Sequence, residues 1–67
     1  MAIAKITEIQ ASSKKSFEDA VQNGIARADK TLRNITGAWV KEQKVKVQKG
    51  KISEYRVIMK VTFILND

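Results

Sequence analysis

The spacing of hydrophobic positions changes twice along the chain, from strand-like to helical and back to strict alternation. The first stretch, Ala2 to Ala11, is rich in Ile and Thr and reads as a strand. Ile3 and Ile9 share one of its faces and Ile6 takes the other, as in a strand buried on both sides. The segment Ser13-Lys14-Lys15-Ser16 then opens a helix. Ser13 and Ser16 are both candidate N-caps, and Ser16 with Asp19 three residues on has the spacing of a capping box. Phe17, Ala20, Val21, Gly24, Ile25, Ala28, Thr31, Leu32 and Ile35 follow on one helical stripe, with Glu18, Gln22, Arg27, Asp29 and Arg33 opposite. The spacing predicts a helix that Gly37 ends, with Ala20, Gly24 and Ala28 allowing a close approach to a sheet.

From Ala38 to Asp67 the pattern is two long strands joined at Gln48-Lys49-Gly50-Lys51. Tyr55, Val57, Met59, Val61, Phe63 and Leu65 alternate cleanly and form a buried face. Pairing Val47 with Ile52 brings Val40 opposite Met59 and Ala38 opposite Val61, so these complete the face the helix covers. The other face then holds Trp39, Val45, Val47, Ile52, Ile58 and Ile64, mixed with Lys41, Gln43, Glu54, Arg56 and Lys60. A solvated sheet face is mostly polar, and this one is about half apolar. The last strand would extend roughly 45 Å, whereas a helix of about twenty residues reaches only about 30 Å. An uncovered, partly apolar face and overhanging strand ends predict burial against other copies of the chain.

Length sharpens that expectation. A chain of 67 residues, read as one domain over 1–67, buries a marginal core of its own. It has no cysteine for disulfides or thiolate metal sites and no histidine, and its seven acids show no cation-loop spacing. No metal site is expected, and oligomerisation is the remaining route to stability. The N-terminus lacks the features of a signal peptide and no apolar run reaches membrane-span length, so no membrane association and a cytoplasmic location are expected. The net charge of +6 is concentrated at Lys41, Lys44, Lys46, Lys49 and Lys51, opposed locally by Glu42 alone. That balance suits phosphate-bearing or polyanionic ligands. A nucleic-acid platform would need aromatic side chains among the lysines. Here Trp39 and Tyr55 fall on opposite faces, which argues against nucleic acid, and lysines at a hairpin tip serve solvation and edge protection.

Catalytic groups are scarce. The serines cluster where helix capping accounts for them, the three glycines are far apart, and no carboxylate pair suited to acid–base chemistry is evident. The sequence therefore reads as a non-enzyme. Trp39 is the one side chain with two readings: it stacks on a planar ligand, or it fills an interface between protomers, and periodicity favours the interface. Arg56 shares its face and either contacts a phosphate or pairs with Glu42 or Glu54.

The order strand, helix, long hairpin resembles the dodecin family. Ser13-Lys14-Lys15-Ser16-Phe17, Ala26-Arg27-Ala28 with Lys30-Thr31-Leu32-Arg33, and Tyr55-Arg56-Val57 with Met59-Lys60-Val61 carry the resemblance over nearly the whole chain. It implies an α+β protomer, β1-α-β2-β3, with a three-stranded antiparallel sheet wrapped around one helix. It further implies a hollow homododecamer of cubic symmetry that binds flavin in pairs between protomers, for storage or quenching rather than catalysis. FMN or riboflavin is the implied cofactor. The family's stacking tryptophan falls at Gly37 and its ring-edge glutamine at Arg56, and both anchors give the same ungapped offset. Glycine offers no stacking surface, and arginine lacks the acceptor of an amide. Trp39 lies on the same face about 7 Å along. The candidate binding residues are therefore Gly37, Trp39, Arg56 and Ile58, with Trp39 as a displaced stacking group. The alternative is a cage that binds no flavin, with Trp39 buried between protomers.

Overall fold

A computed structural model describes residues 3–65; Ala2, Asn66 and Asp67, placed in strands by the sequence pattern, lie outside them. The elements run β1 (Ile3–Ser13), α1 (Phe17–Ala28), β2 (Ile35–Gln48) and β3 (Lys51–Leu65). They form one antiparallel sheet in the order β1-β3-β2 with a single helix, the predicted α+β arrangement.

The alternating strand is the central one. On its inner face Val57, Met59 and Val61 are fully buried. Ile9, Ala11, Phe17, Val21 and Ile25 pack around a nucleus of Ala20, Val57 and Met59. The helix packs over β1 and β3. Gly24 is what permits its approach: a Cβ there would lie 2.7 Å from Met59 Cε and 2.9 Å from Ala11 Cβ. Phe17 closes the near end edge-on against Tyr55, with ring centroids 5.1 Å apart.

Ser16 is the N-cap, its hydroxyl accepting from the Asp19 amide at 2.9 Å. Only half of the expected capping box forms, because the Asp19 carboxylate instead accepts from the Ser13 hydroxyl at 2.6 Å and from Asn23 Nδ2 at 3.0 Å. That ties the helix start to the end of β1.

Several expectations are corrected. The helix stops at Ala28 rather than running to Ile35, and Gly37 lies inside β2 instead of ending a helix. Thr31 and Leu32 still donate to the Ala28 carbonyl, but the chain reverses at Asn34, whose φ of 60° suits asparagine. Ile35 then enters the sheet opposite Phe63. Thr31, Leu32 and Ile35 continue the helical spacing by coincidence, and a β-branched run from Ile35 to Thr36 fits a strand better. The first strand continues to Ser13, and it is an edge strand, not one buried on both sides: Ile3 and Ile6 stand exposed.

The pairing of β2 with β3 shows Val47 opposite Ile52, Val40 opposite Met59 and Ala38 opposite Val61, as predicted. Between these pairs the register shifts. Lys41 is an extra residue on β2, and Ser53 compensates on β3, its hydroxyl donating to the Lys46 carbonyl at 3.1 Å. The bulge flips what lies between. Val45 pairs with Tyr55, Gln43 with Val57 and Val47 with Ile52, so these take the helix-side face rather than Trp39's face, and Glu42, Lys44 and Lys46 move to the outer one. Gln43 joins Phe17, Val21 and Gln22 around a depression at the helix start.

Candidate functional site

The face turned away from the helix can be read row by row across β1, β3 and β2. Ile6, Thr62 and Gly37 form one row; Glu8, Lys60 and Trp39 the next; then Gln10, Ile58 and Glu42; then Ser12, Arg56 and Lys44. All four sequence-derived candidates, Gly37, Trp39, Arg56 and Ile58, therefore share this face. They do not form one tight cluster. Trp39 and Ile58 occupy neighbouring rows, while Arg56 lies two rows from Trp39, about 13 Å along the strand.

Gly37 and Trp39 make the open end. Apart from Gly37 and its two chain neighbours, no residue comes within 4 Å of where a Gly37 Cβ would stand, and Trp39 is left half-exposed, at 49%. The segment Gly37–Val40 keeps its own register between two irregularities, one between Ile35 and Gly37 and one between Val40 and Glu42. Bulges re-aim side chains and recur beside binding sites. Here two of them bracket the four residues that include the only tryptophan of the chain.

Arg56 is already engaged: its Nη2 lies 3.1 Å from Oε2 of Glu54, one of the two acids that sequence offered it. The Ser12 hydroxyl, the Arg56 guanidinium and nearby Lys46 hold the Glu54 carboxyl below its ordinary range. Closer to Trp39, the Lys41 ammonium reaches across β3 to Glu8 Oε1 at 3.3 Å. Sequence periodicity singled out neither Lys41 nor Glu8 as site residues. A signal was nevertheless present. Ala38 and Val40 alternate in one phase and Val45 and Val47 in the other, and such a phase break within a single strand marks a bulge.

Among the described residues no three carboxylates gather to hold a metal ion, and no helix is long and apolar enough to cross a membrane. The outer face thus offers one half-exposed aromatic ring, an open place beside it, and charged groups two strands wide. It is suited to holding a flat molecule or another copy of the chain.

Known proteins share this architecture. The Dodecin family model matches residues 3–66. The dodecin of Thermus thermophilus is 34% identical over 65 residues, spanning 97% of this chain and 94% of its own. Among solved structures, the dodecin from Streptomyces davaonensis superposes with a TM-score of 0.94 at 33% identity, covering 98% of this chain and 97% of that one. A single-site mutant of the T. thermophilus dodecin reaches a TM-score of 0.95 at 33% identity, with 100% of both chains covered. Sequence and fold agree from end to end, and the chain belongs to the dodecin family.

Proposed function

We propose that this protein is a non-enzymatic, self-assembling binding or storage protein of the cytoplasm whose ligand is a flavin, FMN or riboflavin. The half-exposed Trp39 beside the open place at Gly37, on the face away from the helix, carries this reading. Trp39 supplies the stacking surface, Ile58 the apolar floor in the neighbouring row, and a facing copy the second wall. Arg56 serves the site through its bond to Glu54 or, once that bond opens, by reaching a phosphate. The assembly is a homododecamer, which closes the exposed outer face and the bare hairpin end.

Flavin titration tests the ligand. Bound flavin quenches both its own fluorescence and that of Trp39, and Trp39→Ala weakens binding by about tenfold to a hundredfold, the range lost when an aromatic stacking surface is removed. Flavin fluorescence left unquenched by the wild-type protein would sink the flavin reading. One observation favours the second reading, a cage that binds no flavin: Trp39 stands in a row with two charged residues, Lys60 and Glu8, which pair as well with a facing copy as with a ligand. In that case Trp39→Ala lowers the stability of the assembly and leaves flavin binding at zero.

A further inference from the structure

We infer that Asn23-Gly24 is a latent deamidation site, closed while α1 is folded and opened when the helix unravels, and that the modified chain cannot rebuild the helix. It is the one Asn-Gly pair of the chain; Asn34 precedes the β-branched Ile35 and Asn66 precedes Asp67. The following glycine matters because the attacking group is the next residue's backbone nitrogen, and glycine has no Cβ to crowd its approach. The Gly24 nitrogen gives its proton to solvent base and bonds to Asn23 Cγ. The Cγ–Nδ2 bond then breaks and ammonia leaves, closing a succinimide ring. Water opens that ring at either carbonyl, giving aspartate or isoaspartate, so the net change is loss of ammonia and gain of water.

Asn23 is exposed, so shielding from solvent is not what protects it. The fold instead holds the reacting atoms apart. Both residues lie inside α1, where the Gly24 amide donates to the carbonyl four residues back. The Asn23 side chain leans toward the helix N-terminus, away from the Gly24 nitrogen on its C-terminal side. Asp19 keeps it there: Asn23 Nδ2 donates to Asp19 Oδ2 at 3.0 Å, and the same oxygen accepts from the Ser13 hydroxyl at 2.6 Å. Gly24 is buried against Met59 and Ala11, so its backbone cannot rotate toward Asn23 without lifting the helix. The same contacts decide what the modification does. Aspartate at position 23 loses the Nδ2 donor and sets a second carboxylate one turn from Asp19. Isoaspartate lengthens the main chain by one methylene, directly before a residue with no spare room, and breaks the helical ladder. Time spent unfolded is thereby recorded as a covalent change that prevents refolding, while folded chains keep the amide.

The test incubates the full chain, folded and unfolded in guanidinium chloride, at one pH and temperature, and follows isoaspartate by peptide mapping with mass spectrometry. The folded protein should convert at least about a hundredfold more slowly, since the reaction waits on opening of α1. Asp19→Ala should raise the folded-state rate by about tenfold, the size of a lost hydrogen bond to a charged group, and leave the unfolded-state rate unchanged. On dilution from denaturant, the wild-type yield of folded protein should fall with time spent unfolded, in step with conversion. Asn23→Gln, whose longer side chain does not close the five-membered ring, should refold fully at every time. Equal conversion of folded and unfolded wild type overturns the inference, and so does a refolding yield that falls as fast in Asn23→Gln as in the wild type.

Discussion

Gly24 and the hairpin tip at Lys49-Gly50 are where the backbone bears most on the choice of residue. At Gly24 any side chain meets Met59 Cε and Ala11 Cβ below normal contact distance. The methionine tip can swing away, but the Ala11 Cβ is fixed to β1, so the helix must lift. Gly24→Ala gains up to about 1 kcal/mol of helix propensity against an overpacking cost of about 1–3 kcal/mol. A net loss of stability of about 1 kcal/mol is expected in urea unfolding, with Gly24→Val losing more. At the hairpin tip Lys49 has φ 54° and Gly50 φ 75°, so both central residues of the turn sit in the left-handed region. Asparagine tolerates that geometry better than lysine does. Lys49→Asn should raise the unfolding midpoint, by an amount equivalent to about 0.5–1 kcal/mol. The close approach at Gly24 was legible in the spacing of Ala20, Gly24 and Ala28. The left-handed Lys49 was not, because nothing in its chemistry requires it.

Among the elements, the β2–β3 hairpin shows most clearly how a local feature directs a functional face. Beyond Ser13 and the helix start it has neither a third strand nor a covering helix, and Val47 and Ile52 remain 57% and 51% exposed. Its stem is held on the outer side by Arg56 and Glu54, with Lys46 opposite Glu54. Because the Glu54 pKa is depressed in the folded state, the unfolded chain takes up more protons as pH falls. The stabilisation is complete above the ordinary carboxylate pKa of 4.5 and is lost as pH drops through the lower folded value. Thermal unfolding between pH 6 and pH 3 should therefore show a larger loss in the wild type than in Glu54→Gln. An equal loss in the two would remove Glu54 from the acid response. The sequence offered Arg56 either Glu42 or Glu54, and the structure shows the bond to Glu54, two residues away on the same face. The facing of Gln43, Val45, Val47 and Ile52 was misassigned because inserted residues, Lys41 on β2 and Ser53 on β3, each reverse the alternation of their own strand beyond them.

As a whole, the molecule is a rod of 52 × 19 × 13 Å rather than a sphere. A helix of 12 residues spans about 18 Å, and a strand of 15 residues about 50 Å, so most of the sheet's length has no intramolecular cover. Along β2 every residue after Ile35 is exposed. Assembly of copies over that uncovered length should make unfolding depend on concentration. Light scattering should give about 90 kDa, twelve chains of 7.5 kDa, and the melting temperature should rise with protein concentration. A particle near 7.5 kDa would exclude the assembly. Charge substitution at the apolar Ile6 of the outer face, as in Ile6→Lys, should shift the distribution toward smaller species while leaving the circular dichroism of the fold in place.

The sequence by itself determined the order of elements, the inward face of β3 from Tyr55 to Leu65 and three cross-strand pairs. Each rests on strict alternation or on a turn, which are local properties. It also placed Gly37, Trp39, Arg56 and Ile58 on one face, since parity along each strand survives where no residue is inserted between the positions compared. Only the tertiary structure decided where the helix stops, because Thr31, Leu32 and Ile35 carry helical spacing and the choice of strand is made by pairing with Phe63. Likewise, the ion pair beside Trp39 joins residues 33 positions apart across a third strand. A bulge and a sheet order create that proximity, and neither is a property of any short stretch of chain.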